Sequence, residues 1–181
     1  MLCFFERLWR RGCFWIVLGL VSAGCNPSGN KGSVDAAVLA KLGAEPDWNG
    51  LDPEAMSAAQ QMWRKVESKD ATGEDWGRLG IFLSVHNAEA QALTCWSNAM
   101  VLEKNDVRWP YYLAMQSGVL DAAGKEWLWS EAVRCAKGAE KDWARYRQAQ
   151  FWAEEGKWEQ VEGGLSGWVQ GDQNFAPARL L

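Results

Sequence analysis

The spacing of apolar residues predicts an all-α body for most of this chain. In the stretch WGRLGIFLSVH, Trp76, Leu79, Gly80 and Leu83 fall at i, i+3, i+4 and i+7, which places them on one face of a helix. From residue 51 onward no stretch of useful length alternates between apolar and polar residues, as a half-buried strand would. We therefore expect helices joined by short turns.

Capping residues and turns predict where these helices begin and end. Asp52 is expected to cap a front helix over 52–69, with Pro53 in its first turn. Asn87 is expected to cap a helix over about 88–102. The pattern further predicts helices over about 126–137 and 157–170, and a helix that begins near Asp142.

The helix pair after the front helix resembles a tetratricopeptide repeat. Units of that family have 34 residues and the pattern W-x2-L-G-x2-Y followed by A-x3-F. The residues at the matching positions are Trp76, Leu79, Gly80, Leu83, Ala92, Trp96 and Ala99. Leu83 replaces the family tyrosine, Trp96 replaces the phenylalanine, and Lys104 stands where the family often has proline.

The resemblance implies an array within the domain 51–181. Its repeats would span about 73–106, 107–141 and 142–175, behind the front helix 52–69. The implied fold is a short right-handed solenoid of helix–turn–helix repeats, whose concave face is lined by the first helix of each repeat. Members of this family are binding scaffolds far more often than enzymes, so the resemblance implies a protein or peptide partner, no cofactor and no catalytic activity.

Residues 1–24 have the pattern of a secretory signal peptide. Arg7, Arg10 and Arg11 supply the positive start, and an apolar run over 13–21 follows. The run is shorter than the about 20 residues that a membrane-spanning helix needs. Small residues over 22–24 suit a cleavage site.

The sequence VSAGC resembles the lipobox of bacterial lipoproteins, in which the cysteine is lipid-modified. Ser22 stands where the family usually has leucine, and Cys25 is the candidate lipidation site. The resemblance implies a lipid anchor in a membrane of the bacterial envelope, with the body in the periplasm or at the cell surface. A flexible tether over 25–50 would connect anchor and body. Ordinary secretion and an uncleaved N-terminal anchor remain alternatives.

Composition narrows the classes of partner. The chain is 48% hydrophobic and 23% charged, as in soluble globular proteins, and its net charge of -4 argues against a nucleic-acid surface. Its 13 tryptophans are spread along the chain, so one cofactor cage does not explain them. Trp76, Trp96, Trp152 and Trp168 fall at packing positions of the repeats.

Each residue that is a candidate for catalysis or metal binding has a structural explanation. The only histidine, His86, lies where a helix turns, which favours helix capping or a solvent-exposed position. Glu154 and Glu155 are adjacent and point apart on a helix, so they do not form the paired carboxylates of a glycosidase. Cys95 and Cys135 lack metal-ligand spacing; they either form a disulfide or are separate apolar core residues.

The repeat register predicts a partner-binding surface on the first helices. Its residues are Arg78, Ile81, Arg108, Tyr111, Tyr112, Met115, Tyr146, Arg147 and Gln150. Tyrosine and arginine are frequent anchors for peptides and carboxylates. The expected function is an envelope-anchored scaffold for protein–protein interaction; the alternative is an accessory subunit of an envelope enzyme or redox complex.

Overall fold

The computed structural model describes residues 39–116, 118 and 120–171 of the chain. Within these ranges the regular elements are seven helices, and no strand is present. In chain order they are α1 (Pro53–Glu67), α2 (Gly73–Val85), α3 (Glu89–Leu102), α4 (Arg108–Gln116), α5 (Ala122–Cys135), α6 (Ala139–Glu154) and α7 (Trp158–Gly171). The prediction of an all-α fold is confirmed.

The front helix begins where its capping residue predicts. The Asp52 carboxylate accepts hydrogen bonds from the backbone N–H groups of Glu54 and Ala55, at 3.0 and 2.9 Å. These bonds satisfy two of the amide groups that a helix start leaves unpaired, and Pro53 lacks an N–H to satisfy. Trp63 and Val66 of α1 are buried toward the rest of the body.

The α2–α3 hairpin is built on the residues of the repeat motif. Thr72 and Asp75 form a reciprocal capping box at the start of α2. Trp76, Leu79 and Leu83 of α2 are buried, as are Ala92, Trp96 and Ala99 of α3. The alternation of small and large side chains lets the two helices approach closely.

The turn between α2 and α3 differs from the expected one. The N-cap residue of α3 is Ala88, whose side chain makes no capping hydrogen bond, so the prediction that Asn87 caps this helix is wrong. Asn87 instead has a φ angle of 59°, in the left-handed region that asparagine tolerates better than most residues.

Helices α5 and α6 begin earlier than the sequence pattern predicts. Helix α5 begins at Ala122 rather than near residue 126, because Asp121 accepts a hydrogen bond from the Gly124 amide at 2.8 Å. Helix α6 begins at Ala139 rather than near Asp142. Helix α7 packs on α6 through Ala149, Val161 and Leu165, with Trp152 against the same cluster. The predicted packing role of Trp168 concerns a side chain outside the described part of the structure.

The segment before α1 also belongs to the packed body. The Trp48 side chain is buried and makes edge-to-face contacts with Trp63 of α1 and Phe82 of α2, at centroid distances of 6.3 and 5.8 Å. The Gln91 amide donates a hydrogen bond to the Ala44 carbonyl at 2.9 Å. The packed region therefore begins before residue 51, where the sequence pattern had placed the start of the domain.

Helices α1 to α7 pack mainly on their neighbours in sequence. Each makes its main contacts with the helix before it and the helix after it. Side chains add links between non-consecutive helices: the Arg108 guanidinium of α4 binds the Glu74 carboxylate of α2 at 2.7 Å. Local packing of this kind leaves one face of a helix uncovered unless another segment or another molecule covers it.

Candidate functional site

The predicted site residues that the structure describes lie on α2, α4 and α6. Arg78 and Ile81 are on α2, and Arg108, Tyr111, Tyr112 and Met115 are on α4. Tyr146, Arg147 and Gln150 are on α6. The predicted lipidation site, Cys25, lies outside the described residues, as do the signal peptide 1–24 and the predicted tether residues up to 38.

Arg78 and Ile81 line an open depression at the end of α2, with a volume of about 370 Å³. The other residues that line it are Met62, Phe82, Val85 and His86. Met62 belongs to α1, so two helices form the depression. Ile81 is 38% exposed and Val85 is 72% exposed. The depression thus presents aliphatic side chains to solvent beside one guanidinium group.

The acidic residues nearest to Arg78 in α2 bind other groups. Residues three and four apart on a helix are neighbours, so Glu74 and Asp75 are the expected ion-pair partners. The Glu74 carboxylate instead binds Arg108, at 2.7 Å. The Asp75 carboxylate accepts hydrogen bonds from the Thr72 amide and hydroxyl, at 2.9 and 2.7 Å. Burial by itself raises the pKa of Asp75, but the hydrogen bonds from Thr72 and the charge of Lys65 together outweigh it and hold this pKa below its usual value.

Arg108 is held by acidic groups and by an indole ring. Its guanidinium lies 2.7 Å from the Asp106 carboxylate and 2.7 Å from that of Glu74, and 4.4 Å above the centre of the Trp109 ring. The hydrogen bond to Asp106 is the main cause that raises the pKa of Arg108. Because this charge is already compensated, Arg108 is less suited than Arg78 to bind an acidic partner.

Tyr111 and Tyr112 contribute to packing as well as to the surface. Tyr112 stacks on Trp96 of α3 with a centroid distance of 5.4 Å, and Tyr111 meets Trp129 of α5 edge-on at 5.4 Å. Both tyrosines are half-buried. Met115 of the same helix is 49% exposed. Of these three residues, Met115 has the side chain most available to a partner.

The predicted residues of α6 form a hydrogen-bonded set. The Gln150 amide donates to the Tyr146 hydroxyl at 3.1 Å, and the Arg147 guanidinium donates to the Gln150 carbonyl at 3.1 Å. The exposed Trp143 meets Tyr146 edge-on, at 6.1 Å. Tyr146, Arg147 and Gln150 are all half-buried, and Tyr146 also packs against the buried cluster that joins α6 to α7.

Sequence reasoning missed two exposed residues of these surfaces. Val85 follows Ile81 by four residues, and Trp143 precedes Tyr146 by three, so both share a helix face with a predicted residue. Helical spacing was sufficient to place both residues on the same helix face as a predicted residue. What it did not reveal was that both side chains remain exposed after the neighbouring helices have packed.

The histidine and the acidic pair occupy helix ends. His86 is the C-cap residue of α2; its backbone amide donates to the Leu83 carbonyl at 3.2 Å, and its exposed ring lies 4.4 Å from that of Phe82. Glu154 ends α6 and Glu155 caps it, and both are exposed. In the part of the chain that the structure describes, no three or more His, Cys, Asp or Glu side chains are placed to hold a metal ion.

These observations define an all-α protein with exposed side chains on α2, α4 and α6. Comparison of the chain with protein-family models, with curated proteins and with solved structures gives no match. Among the described residues, none of the helices has the length and apolar character needed to span a bilayer.

Proposed function

We propose that this chain is an envelope-anchored, tetratricopeptide-like scaffold that binds another protein. The observation that carries the proposal is the equivalence of Ile81 and Met115. These residues are 34 positions apart, which is the length of one tetratricopeptide repeat, and both are exposed on the first helix of a hairpin. In a stacked array, apolar side chains exposed at equivalent places of successive repeats would contribute to one patch, and exposed apolar patches mark protein–protein interaction sites.

The packing of the hairpins supports this proposal. Gly80 and Trp96 occupy positions that the family reserves for a small and a large residue, and the helices pack in sequence order. In such an array the second helices cover one side of the first helices and leave the other side for a partner. The proposed architecture is thus a short right-handed solenoid with repeats over about 73–106, 107–141 and 142–175.

The proposed location rests on the N-terminal sequence. Arg7, Arg10 and Arg11, the apolar run after them and the small residues before Cys25 are the features of a bacterial lipoprotein signal. A lipid on Cys25 would attach the body to a membrane of the cell envelope. The body would then meet its partner in the periplasm or at the cell surface.

Site-specific photo-crosslinking tests the scaffold function. A photoreactive amino acid is introduced in the full chain at residue 81, at residue 115 or, as a control, at residue 90, where exposed Ala90 lies on the second helix α3. We expect the same partner to be captured in cells from positions 81 and 115 and not from position 90. Equal capture from all positions, or capture from none, would contradict the proposal.

Fatty-acid labelling tests the anchor separately. Cells that express the full chain are fed a fatty acid with a detectable tag, and the protein is isolated. We expect the label on the wild-type chain and none on the Cys25→Ala variant. Label that persists in this variant would show that Cys25 is not the lipidation site.

A further inference from the structure

The depression at the end of α2 combines exposed aliphatic side chains with the charge of Arg78, for which the described residues provide no partner. Ile81 and Val85 present their side chains to solvent one helical turn apart, and Val85 is the more exposed of the two. Met62 of α1 and Phe82 of α2 complete the apolar lining. Covering these side chains would remove apolar surface from water, which favours binding.

The charge of Arg78 makes this surface selective. Both acidic residues within one turn bind elsewhere, Glu74 to Arg108 and Asp75 to Thr72. Among the described residues, no hydrogen bond or ion pair involves the Arg78 guanidinium, and no acidic side chain lines the depression. A partner that contributes a carboxylate would supply the missing charge, since a guanidinium binds a carboxylate through two parallel hydrogen bonds.

We propose that this depression binds an acidic, apolar segment of the protein partner. An aliphatic side chain of the segment covers Ile81 and Val85, and a carboxylate one or two residues away binds Arg78. The imidazole of His86, held against Phe82, adds a hydrogen-bonding group at the rim. This inference rests on the proposed scaffold function and names the chemistry of the partner.

Peptide binding by the full chain in detergent micelles tests the inference. The probe is a fluorescent peptide, Gly-Glu-Leu-Leu-Glu-Gly, and its neutral match is Gly-Gln-Leu-Leu-Gln-Gly. We expect fluorescence anisotropy to show that the acidic peptide binds about tenfold more tightly, as a hydrogen-bonded charge pair confers. Arg78→Gln should remove this difference, and Val85→Ser should weaken the binding of both peptides.

The control variant is Arg145→Gln, which removes an exposed arginine from α6 and should leave both affinities unchanged. Equal binding of the two peptides, an unchanged affinity in Arg78→Gln, or the same loss in Arg145→Gln would each overturn the inference. So would Arg78-dependent binding of phosphatidylglycerol vesicles without peptide binding, because the depression would then recognise lipid. If Arg78→Gln failed to fold, the peptide pair and Val85→Ser would still decide the question.

This experiment and the crosslinking experiment can fail separately. Capture of one partner from residue 115, without binding of the acidic peptide, would leave the scaffold function standing and overturn only the proposed partner chemistry. Failure to capture a partner from residues 81 and 115 would contradict the scaffold function, whatever the peptide does.

Discussion

The indole of Trp96 occupies the space that a side chain at Gly80 would fill. A Cβ atom at residue 80 would lie 2.5 Å from the Trp96 indole nitrogen and 2.7 Å from its Cδ1 atom. Both distances are far shorter than a non-bonded contact. Trp96 is almost completely buried, so its ring has little room to move. Contact between α2 and α3 therefore requires glycine at this position.

We expect Gly80→Ala to lower the free energy of unfolding by about 1–2 kcal/mol. With contacts this short, overpacking should cost about 2–3 kcal/mol, the upper part of its usual range, and alanine regains roughly 1 kcal/mol in helix propensity. The matched control is Gly163→Ala in α7, where a Cβ atom would meet nothing within 4 Å. That change should raise the free energy of unfolding by about 0.5–1 kcal/mol. Urea denaturation followed by circular dichroism measures both; the same sign for the two variants would contradict the packing argument.

The Glu103 carboxylate joins three helices. From its position just after α3 it accepts hydrogen bonds from the Glu74 amide of α2 at 3.1 Å and from the Trp109 indole of α4 at 3.0 Å. Trp109 is fully buried. We expect Glu103→Ala to lower the free energy of unfolding by about 2–3 kcal/mol, because it leaves the buried Trp109 donor without its acceptor and removes the acceptor of the Glu74 amide in the first turn of α2.

The control for Glu103 is Glu131→Ala, which removes the surface ion pair with Arg134 on α5. Exposed pairs of this kind contribute about 0–1 kcal/mol. Thermal denaturation should therefore show a clearly larger loss for Glu103→Ala than for Glu131→Ala. Similar losses would mean that the bonds of Glu103 contribute no more than a surface ion pair.

The contacts of Gly80 and Trp109 show which parts of the helix packing can be predicted from the sequence and which cannot. Gly80 and Trp96 were predictable because helical spacing and the repeat motif define contacts within one hairpin. The role of Trp109 was not, since its ring fills the space beside Gly77, 32 positions earlier, and that contact depends on how α4 approaches α2. Sequence spacing carries no information on the angle between helices.

In the candidate site, too, helical spacing predicts which residues share a face but not the contacts that depend on tertiary packing. The repeat register placed Ile81 and Met115 on the predicted partner-binding surface, and both side chains are exposed. It did not reveal that Tyr111 and Tyr112 are half-buried against tryptophans of α3 and α5, because that requires the tertiary arrangement. Nor did it indicate that Glu74 binds Arg108 and leaves Arg78 without a partner among the described residues.

The Glu126 carboxylate should make the stability of the last hairpins depend on pH. It lies 2.6 Å from the Lys157 ammonium and accepts a hydrogen bond from the Trp152 indole at 3.1 Å. The bond to Lys157 is the main cause that lowers the pKa of Glu126. A carboxyl with a lowered pKa in the folded state stabilises the fold above its unfolded pKa, and this stabilisation disappears as the pH falls through the folded pKa.

We therefore expect wild type to lose more stability than Glu126→Gln as the pH falls below the ordinary glutamate value of 4.5. The glutamine variant should be less stable than wild type at pH 7 and approach it in acid. The control is Glu159→Gln, which replaces an exposed first-turn acid of α7. Parallel stability curves for wild type and Glu126→Gln between pH 7 and pH 3 would contradict the prediction.

Cys95 should be unreactive in the folded protein. Its thiol is completely buried and free of a disulfide, and burial raises its pKa. Because the thiolate is the reactive form, alkylation by iodoacetamide at pH 8 should be slow until the chain unfolds. Cys135, which is slightly exposed and donates to the Lys104 carbonyl at 3.4 Å, should react faster. Peptide mapping by mass spectrometry distinguishes the two sites; rapid native labelling of Cys95 would show that the α2–α3 hairpin opens.

Trp48 should stabilise the body although it lies outside every helix. Its ring meets those of Trp63 and Phe82, and its indole nitrogen donates to the Glu45 carboxylate at 2.7 Å. We expect Trp48→Ala to lower the free energy of unfolding by about 3 kcal/mol, the usual cost of removing a buried aromatic ring. Trp158→Ala is the control, since Trp158 is 59% exposed and its loss should change stability by less than about 0.5 kcal/mol.

The same pair of variants tests where the packed body begins. Phe82 also lines the depression beside Arg78, so loss of the Trp48 ring removes a contact that holds this lining in place. Trp48→Ala should therefore weaken binding of the acidic peptide at temperatures where the variant is still folded, whereas Trp158→Ala should not. Unchanged unfolding and unchanged peptide binding in Trp48→Ala would mean that residues before α1 contribute nothing to the body and act only as a connection.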